Sequence, residues 1–378
     1  MKHGISSKIA VACAVVLLFT FPLGNLLRIV VGPAVFYPHD LVLLIWLAYA
    51  AVFTPYFKRL HKISFAGWLK VALIWTGIGM IGALIRTHSG IPFLYVLRLI
   101  IYILGSWSLT QVLPQSRLKT SLVTLGLVYQ VVSFGLYLIS PDMRFLWVYG
   151  WDDHYYRLIG TIFDPGFTGM LAILTLLTLW SLPHKSKIWQ AAISLFLLTC
   201  IILTYSRASY LALIVALICM ALQYKKRAVT QFILGGIVCL VLFWLAPKPG
   251  GDGVEITRLT SITARLQTIQ HSITSLTPST ALLGTGLFSR FSQENNPQMP
   301  TTTAYFPDNI IILLLVQTGF PGLVLWSLCA MQYLKKLWKK RPLQFSAAAA
   351  LFMHAQFNNT LLQPFVLLYF LYILMDDT

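Results

Sequence analysis

The sequence predicts an all-α, polytopic integral membrane protein of about twelve transmembrane helices, and three observations carry that prediction. Of 378 residues, 57% are hydrophobic and only 10% are charged, with a mean hydropathy of +0.75. That is far too little charge for a water-facing surface. Apolar runs of roughly 16–25 residues recur along the chain, about the length a helix needs to cross ~30 Å of hydrocarbon. No stretch alternates apolar and polar residues between turn signals in the way a β-barrel requires.

In chain order, the expected spans are 9–23, 40–57, 65–85, 91–113, 119–139, 166–182, 188–204, 208–223, 229–246, 308–334, 343–357 and 361–375. The first follows Lys2 and Lys8 and resembles a signal peptide. No convincing small-residue cleavage site follows it, so it reads as a retained span. The tenth is long and interrupted by Gly319, Pro321 and Gly322. It is therefore expected to kink or tilt. The five cysteines all lie inside apolar runs without metal-ligand spacing, as small packing residues do.

Charge sets the expected orientation. With the N-terminus cytoplasmic, the inner connections and span ends collect 18 basic residues against two acids, Asp376 and Asp377. The remaining ten basic residues fall outside or near the outer face, alongside nine acids. This follows the positive-inside rule and puts both termini in the cytoplasm, for a multi-pass protein of the cytoplasmic (inner) membrane. The formal net charge of +17 is thus mostly topology. The basic clusters are short inner loops without an aromatic platform, so no nucleic-acid partner is expected. The chain reads as one membrane domain, 1–378. Its longest connection, 247–307, lies outside between spans nine and ten, with a helical-looking middle over 257–276. Long ordered connections in compact proteins usually carry function.

The outer face is rich in arginine: Arg28, Arg86, Arg144, Arg157, Arg207, Arg258, Arg265 and Arg290, against a single lysine, Lys248. A guanidinium fork suits bidentate contact with phosphate. Arg207 is the most constrained, held in the tight Ser206–Arg207 connection beside Tyr205. Helix anchoring at headgroups accounts for Arg28, Arg86 and Arg144. Arg98 lies mid-span in LYVLRLIIY and is expected to face the protein interior as a ligand or a structural pair. The aromatic stretch FLWVYGWDDHYYR (145–157) suits either a glycan path or a membrane interface. No phosphate-binding Gly-rich lysine loop is present. Asp152 and Asp153 are adjacent, so they do not form the spaced pair that chelates a metal, and no metal or cofactor is expected.

Four stretches resemble the bacterial O-antigen ligase / O-antigen polymerase superfamily of membrane glycosyltransferases. RLIGTIFDPGFTGMLAI (157–173) looks like the family's Arg-x-x-Gly … Pro segment, and LTYSRASYLAL (203–213) like its Ser-Arg hairpin. TARLQTIQHSI … ALLGTGLFSRF (263–291) looks like its long outer loop, an arginine helix followed by a Gly-x-Gly turn. PDNIIILLLVQTGFPG (307–322) looks like the ligase motif His-Asn-x9-Gly-x-x-Gly, with Asp308 where ligases carry histidine. That departure tips the expectation toward a polymerase.

The resemblance implies an undecaprenyl-diphosphate-linked oligosaccharide as donor, used at the outer face of the bilayer, with a flippase and a chain-length regulator as pathway partners. The departing diphosphate needs fixed positive charge, for which Arg207, Arg157, Arg265 and Arg290 are the candidates in that order. The acceptor hydroxyl needs a base. Asp308 is the first choice, at the mouth of span ten, where a helix N-terminus favours an anion or where the residue simply caps. Asn309 is expected to orient the acceptor or to cap. Asp164, Glu255 and His271 are reserves. A ligase that moves glycan onto lipid A core or protein is the alternative. A twelve-span secondary transporter is a weaker one, because the two halves show no similarity.

Overall fold

A computed structural model of the chain describes residues 2–32, 34–54, 67–113, 115–183, 186–224, 226–248, 254–255, 260–289 and 307–375. Helices dominate, and each of the twelve predicted runs coincides with one. In order they are α1 (Lys2–Thr20), α2 (Pro38–Phe53), α3 (Gly67–Thr87), α4 (Ile91–Thr110), α5 (Gln115–Ile139), α6 (Pro165–Ser181), α7 (Lys187–Leu203), α8 (Arg207–Tyr224) and α9 (Lys226–Leu245). Then follow α10 (Thr260–Thr274), α11 (Pro278–Leu283), α12 (Ile310–Lys340), α13 (Pro342–His354) and α14 (Pro364–Leu374). Prolines at the first or second position open α2, α4, α6, α11, α13 and α14. The missing N–H is one the first helical turn leaves unpaired anyway.

Among the described residues, five helices are long and apolar enough to cross a membrane by length and composition. Six more apolar helices are shorter, 10–17 residues. The predicted runs are therefore helices, while their lengths alone do not establish twelve crossings. The all-α expectation also missed a small hairpin between α1 and α2. Strands β1 (Ile29–Val31) and β2 (Ala34–Phe36) pair antiparallel, Val30 opposite Val35, after a 3₁₀ turn over Phe21–Leu27. The hairpin was invisible because a span and its neighbour flank it so closely that its three-residue strands look like a short loop.

Helix α6 is the axis of the bundle. Fourteen of its 17 residues are buried, on every side, and α5, α7, α8, α13 and α14 pack around it. A helix apolar all round belongs in the centre of such a bundle. Small residues permit the closest approach: a Cβ on Gly169 would lie 2.4 Å from Ser209 Oγ of α8.

The interruption expected in the tenth span is a true break. Gly319 sits at φ +70° and Pro321 supplies no N–H, so α12 loses its ladder there. The carbonyls set free find donors outside the helix. Thr285 N donates to Val316 O at 2.9 Å and Gly286 N to Gln317 O at 3.0 Å. The indole of Trp75 donates to Thr318 O at 3.0 Å. An unpaired carbonyl at membrane depth costs several kcal/mol, so these three bonds are what makes the break tolerable. The Gly-x-Gly turn after α11 thus has a structural task. Gly284, at φ +77°, packs so tightly that a Cβ would meet Gln317 O at 2.2 Å.

Candidate functional site

Three helix N-termini and two helix C-termini meet at one end of the bundle. Helix α6 begins there at Asp164, whose Oδ1 accepts from Phe167 N at 2.8 Å. Helix α12 begins at Asn309, whose Oδ1 accepts from Ile311 N and Ile312 N at 3.0 and 3.2 Å. Helix α8 begins at Arg207, with three residues between it and the end of α7. Helix α13 ends at His354. The N–H groups of the α6 and α12 first turns are taken up by caps and neighbouring carbonyls, so what the converging N-termini offer an anion is the positive ends of their dipoles.

Backbone strain gathers here. Tyr156, Phe163 and Tyr205 have φ values of +52°, +60° and +48°, conformations that side-chain-bearing residues rarely adopt. Tyr205 turns the chain from α7 into α8 in three residues and delivers Arg207 to the start of α8. Thr204 Oγ1 accepts from Ser206 N at 3.2 Å, and Ser206 Oγ from Ser209 N at 3.3 Å, fixing the turn. The hairpin expected from the Ser-Arg pair is present.

Arg157 lies alongside this turn. Its Nε donates to Thr204 O at 3.0 Å and Nη2 to Tyr205 O at 3.4 Å. Leu158 N donates to Leu203 O at 2.9 Å. Arg157 therefore takes up carbonyls of the turn between α7 and α8 and holds the Arg207 turn in place, while its charge acts on Asp152 and Asp164.

Arg265, on α10, is the charge nearest the base candidate. Its Nε lies 3.6 Å from Asp308 Oδ2, with both side chains 31% exposed, and its Nη2 donates to Asn358 Oδ1 at 3.2 Å. Arg265 and Arg207 are close enough to repel each other. Asp308 accepts at Oδ1 from Asn359 Nδ2 at 3.3 Å. It is not the N-cap of α12. Asn309 is, and its Nδ2 reaches Gln356 Oε1 at 3.1 Å. Burial pushes the Asp308 carboxyl up to about 6, the Asp164 and Asp152 charges push the same way, and the Arg265 guanidinium pulls it down. The helix N-terminus does not hold Asp308 in the ordinary carboxylate range as the sequence led one to expect. Asp164 is raised as well, first by burial and then by Asp152, against its bond from Phe167 N.

The structure thus brings Arg157, Arg207, Arg265, Asp164, Asp308 and Asn309 together. His271 lies exposed on α10, six residues beyond Arg265 and so about 240° around the helix. Glu255 is exposed. Arg290 lies outside the described residues.

Sequence reasoning missed several members. Asp152 was weighed only as half of a metal pair. His354 is fully buried, its ring nitrogens 3.3 Å from Ser209 Oγ and 2.6 Å from Thr360 Oγ1, tying α13 to α8. Gln356, Asn358 and Asn359 form the connection between α13 and α14. The polar run QFNNT (356–360) between two apolar spans was the available signal.

No curated protein matches the chain. A family model described as O-antigen ligase matches residues 191–327, which run from α7 through the first half of α12 and carry Arg207, Arg265, Asp308 and Asn309. This match supports placing the chain in the O-antigen ligase/polymerase superfamily.

Proposed function

We propose that the protein is a membrane glycosyltransferase that polymerises polysaccharide repeat units. It transfers glycan from an undecaprenyl-diphosphate donor to a lipid-linked acceptor sugar at the outer face of the cytoplasmic membrane. The observation that carries this reading is the convergence of Arg207 and Arg265 with Asp308 where three helix N-termini meet. The acceptor hydroxyl gives its proton to Asp308 as its oxygen bonds to the anomeric carbon. The anomeric C–O bond breaks, and the electron pair leaves on the diphosphate. Arg207 and Arg265 meet that growing charge directly, with Arg290 as the candidate from the outer loop. Arg157 shapes the turn that presents Arg207. Fixed guanidiniums in a partly dehydrated site do here what a bound metal does in nucleotide-sugar transferases. The bilayer delivers both lipid-linked substrates, and a flippase and chain-length regulator are the expected partners.

The matched family description favours a second reading, transfer of finished glycan onto lipid A core or protein. Purified protein incubated with a single lipid-linked repeat separates the two. A polymerase makes a ladder on a gel from that substrate alone; a ligase leaves it unchanged until the second acceptor is added. In that assay Arg207→Ala should abolish product while the protein inserts and folds normally. A normal ladder from that variant would reject the diphosphate role.

A further inference from the structure

The connection between α13 and α14 lies outside the stretch matched by the family model, yet it grips the site at every turn. Ala355 O accepts from Ile310 N at 2.8 Å, Gln356 binds Asn309, Asn358 binds Arg265, and Asn359 binds Asp308. Thr360 N donates to Asn358 O at 2.7 Å, which closes the segment into a rigid turn.

Asn359 is asymmetric. Its Nδ2 donates to Asp308, but its Oδ1 is buried and has no hydrogen-bond partner among the described residues. A buried amide oxygen left unpaired costs free energy, and no described residue on that side holds the amide in its present orientation. Among the described residues, the polar group that fixes the amide is the Asp308 carboxyl itself. The two ends of an amide have nearly the same shape but opposite hydrogen-bonding roles.

We propose that Asn359 is a positioning residue for Asp308, turning its amide to follow the proton. With Asp308 ionised, Nδ2 donates to the carboxylate, as in the present structure. When the acceptor hydroxyl has handed over its proton, the carboxylic O–H donates to Oδ1 of the turned amide, and the orphaned oxygen gains its partner. Asp308 is then hydrogen-bonded on both sides of the proton transfer and stays in place for the next cycle, when its proton leaves to water. The inference rests on the reading of Asp308 as the base. The other charges facing Asp308 are Arg265 from α10, Asp164 from the start of α6 and Asp152 from the connection before it. None of these can exchange donor for acceptor by rotation while remaining charged.

The test is the pH profile of kcat in the ladder-forming assay, for the wild type, Asn359→Leu, Asn359→Asp, Asp308→Asn and the double variant Asp308→Asn/Asn359→Leu. Leu removes both bonds while keeping the volume, and because the bond to the charged carboxylate is the stronger of the two, the ionised base loses more. The acid limb should move up by about one pH unit, which is about a fivefold loss of rate at pH 6 and almost none at pH 8, with KM unchanged. Asn359→Asp, isosteric and expected to fold if Leu does not, should move the limb in the same direction. The double variant should be no slower than Asp308→Asn. A limb that stays in place in both Asn359 variants, with any loss equal at all pH values, would reduce Asn359 to a packing residue. Losses that multiply in the double variant would overturn the proposal while leaving the base intact. An Asp308→Asn enzyme that keeps the wild-type rate and limb would remove the base reading instead, and this inference with it.

Discussion

Of the arginine–aspartate pairs among the described residues, Arg98–Asp40 and Arg265–Asp308 differ sharply in geometry, while Arg144–Asp142 lies exposed at the surface. Arg98 of α4 and Asp40 of α2 meet at 2.9 Å, with side chains 13% and 14% exposed. Tyr102 donates to the second carboxylate oxygen at 2.5 Å, Arg98 also donates to Val35 O, and the guanidinium lies over the rings of Tyr95, Tyr37 and Phe36. Asp40 also accepts from Tyr37 N at 2.8 Å, completing the start of α2. The carboxylate there accepts three hydrogen bonds, and the guanidinium donates two from Nη2 among three aromatic rings. The Arg265–Asp308 pair is looser, at 3.6 Å, more than twice as exposed, and shares its space with two further carboxyls and another guanidinium. A closed pair specifies structure. An open one, with charges that repel as well as attract, keeps capacity to bind something else. The mid-span arginine that the sequence left between ligand and structural pair is thus a structural pair.

The largest effects expected from this contrast lie at the open pair. Asp308→Asn should slow turnover by about 10²–10⁴-fold, the usual worth of a positioned base, while donor binding changes little. Single-turnover rates and a binding assay on the same preparation check this; unchanged rates would leave Asp308 as a lining residue. Arg265→Ala should cost about 10²–10³ in kcat by removing a preorganised cation from the leaving group. It too should leave the thermal melting of the detergent-solubilised protein near that of the wild type.

The closed pair should break the other way. Arg98→Met strands the Asp40 carboxylate among apolar and aromatic neighbours, which costs about 3–5 kcal/mol of stability. The reading is a lowered melting temperature with near-normal turnover per folded molecule. Replacing both partners, Arg98→Met with Asp40→Leu, should recover much of that loss. A catalytic defect in the folded single variant, larger than its stability defect, would erase the distinction between the two pairs.

What was legible in advance follows the range of the interactions involved. Helix positions were readable because burial in lipid or protein imposes long apolar runs, and prolines mark their starts. The break in α12 was readable from Gly319 and Pro321, since both act locally. The donors that repair it, Thr285, Gly286 and Trp75, were not, because they come from distant segments. The same holds at the site. Arg207 announced itself by its tight connection, but the polar turn at 356–360 carries no local chemistry. Its meaning appears only when folding sets Asn358 beside Arg265 and Asn359 beside Asp308. Asp308 was picked out, but its surroundings were misjudged: the cap is Asn309, and burial outweighs the helix end.

The smallest effect offers the sharpest discrimination between the pairs. An Asp308 that titrates near 6 gives the wild-type rate an acid limb there, rising with pH as the base ionises. Arg265 holds that limb down, so Arg265→Gln should move it to higher pH, beyond any loss of rate that is the same at all pH values. Arg265→Lys keeps the charge and should hold the limb closer to its original position. Arg98→Met should leave it where it was, because Arg98 is not among the charges that face Asp308. Profiles of the three variants, each normalised to its own plateau, decide the matter. If Arg265→Gln and Arg98→Met moved the limb equally, the two pairs would share one electrostatic environment, and the separation of a structural from a working arginine would be lost.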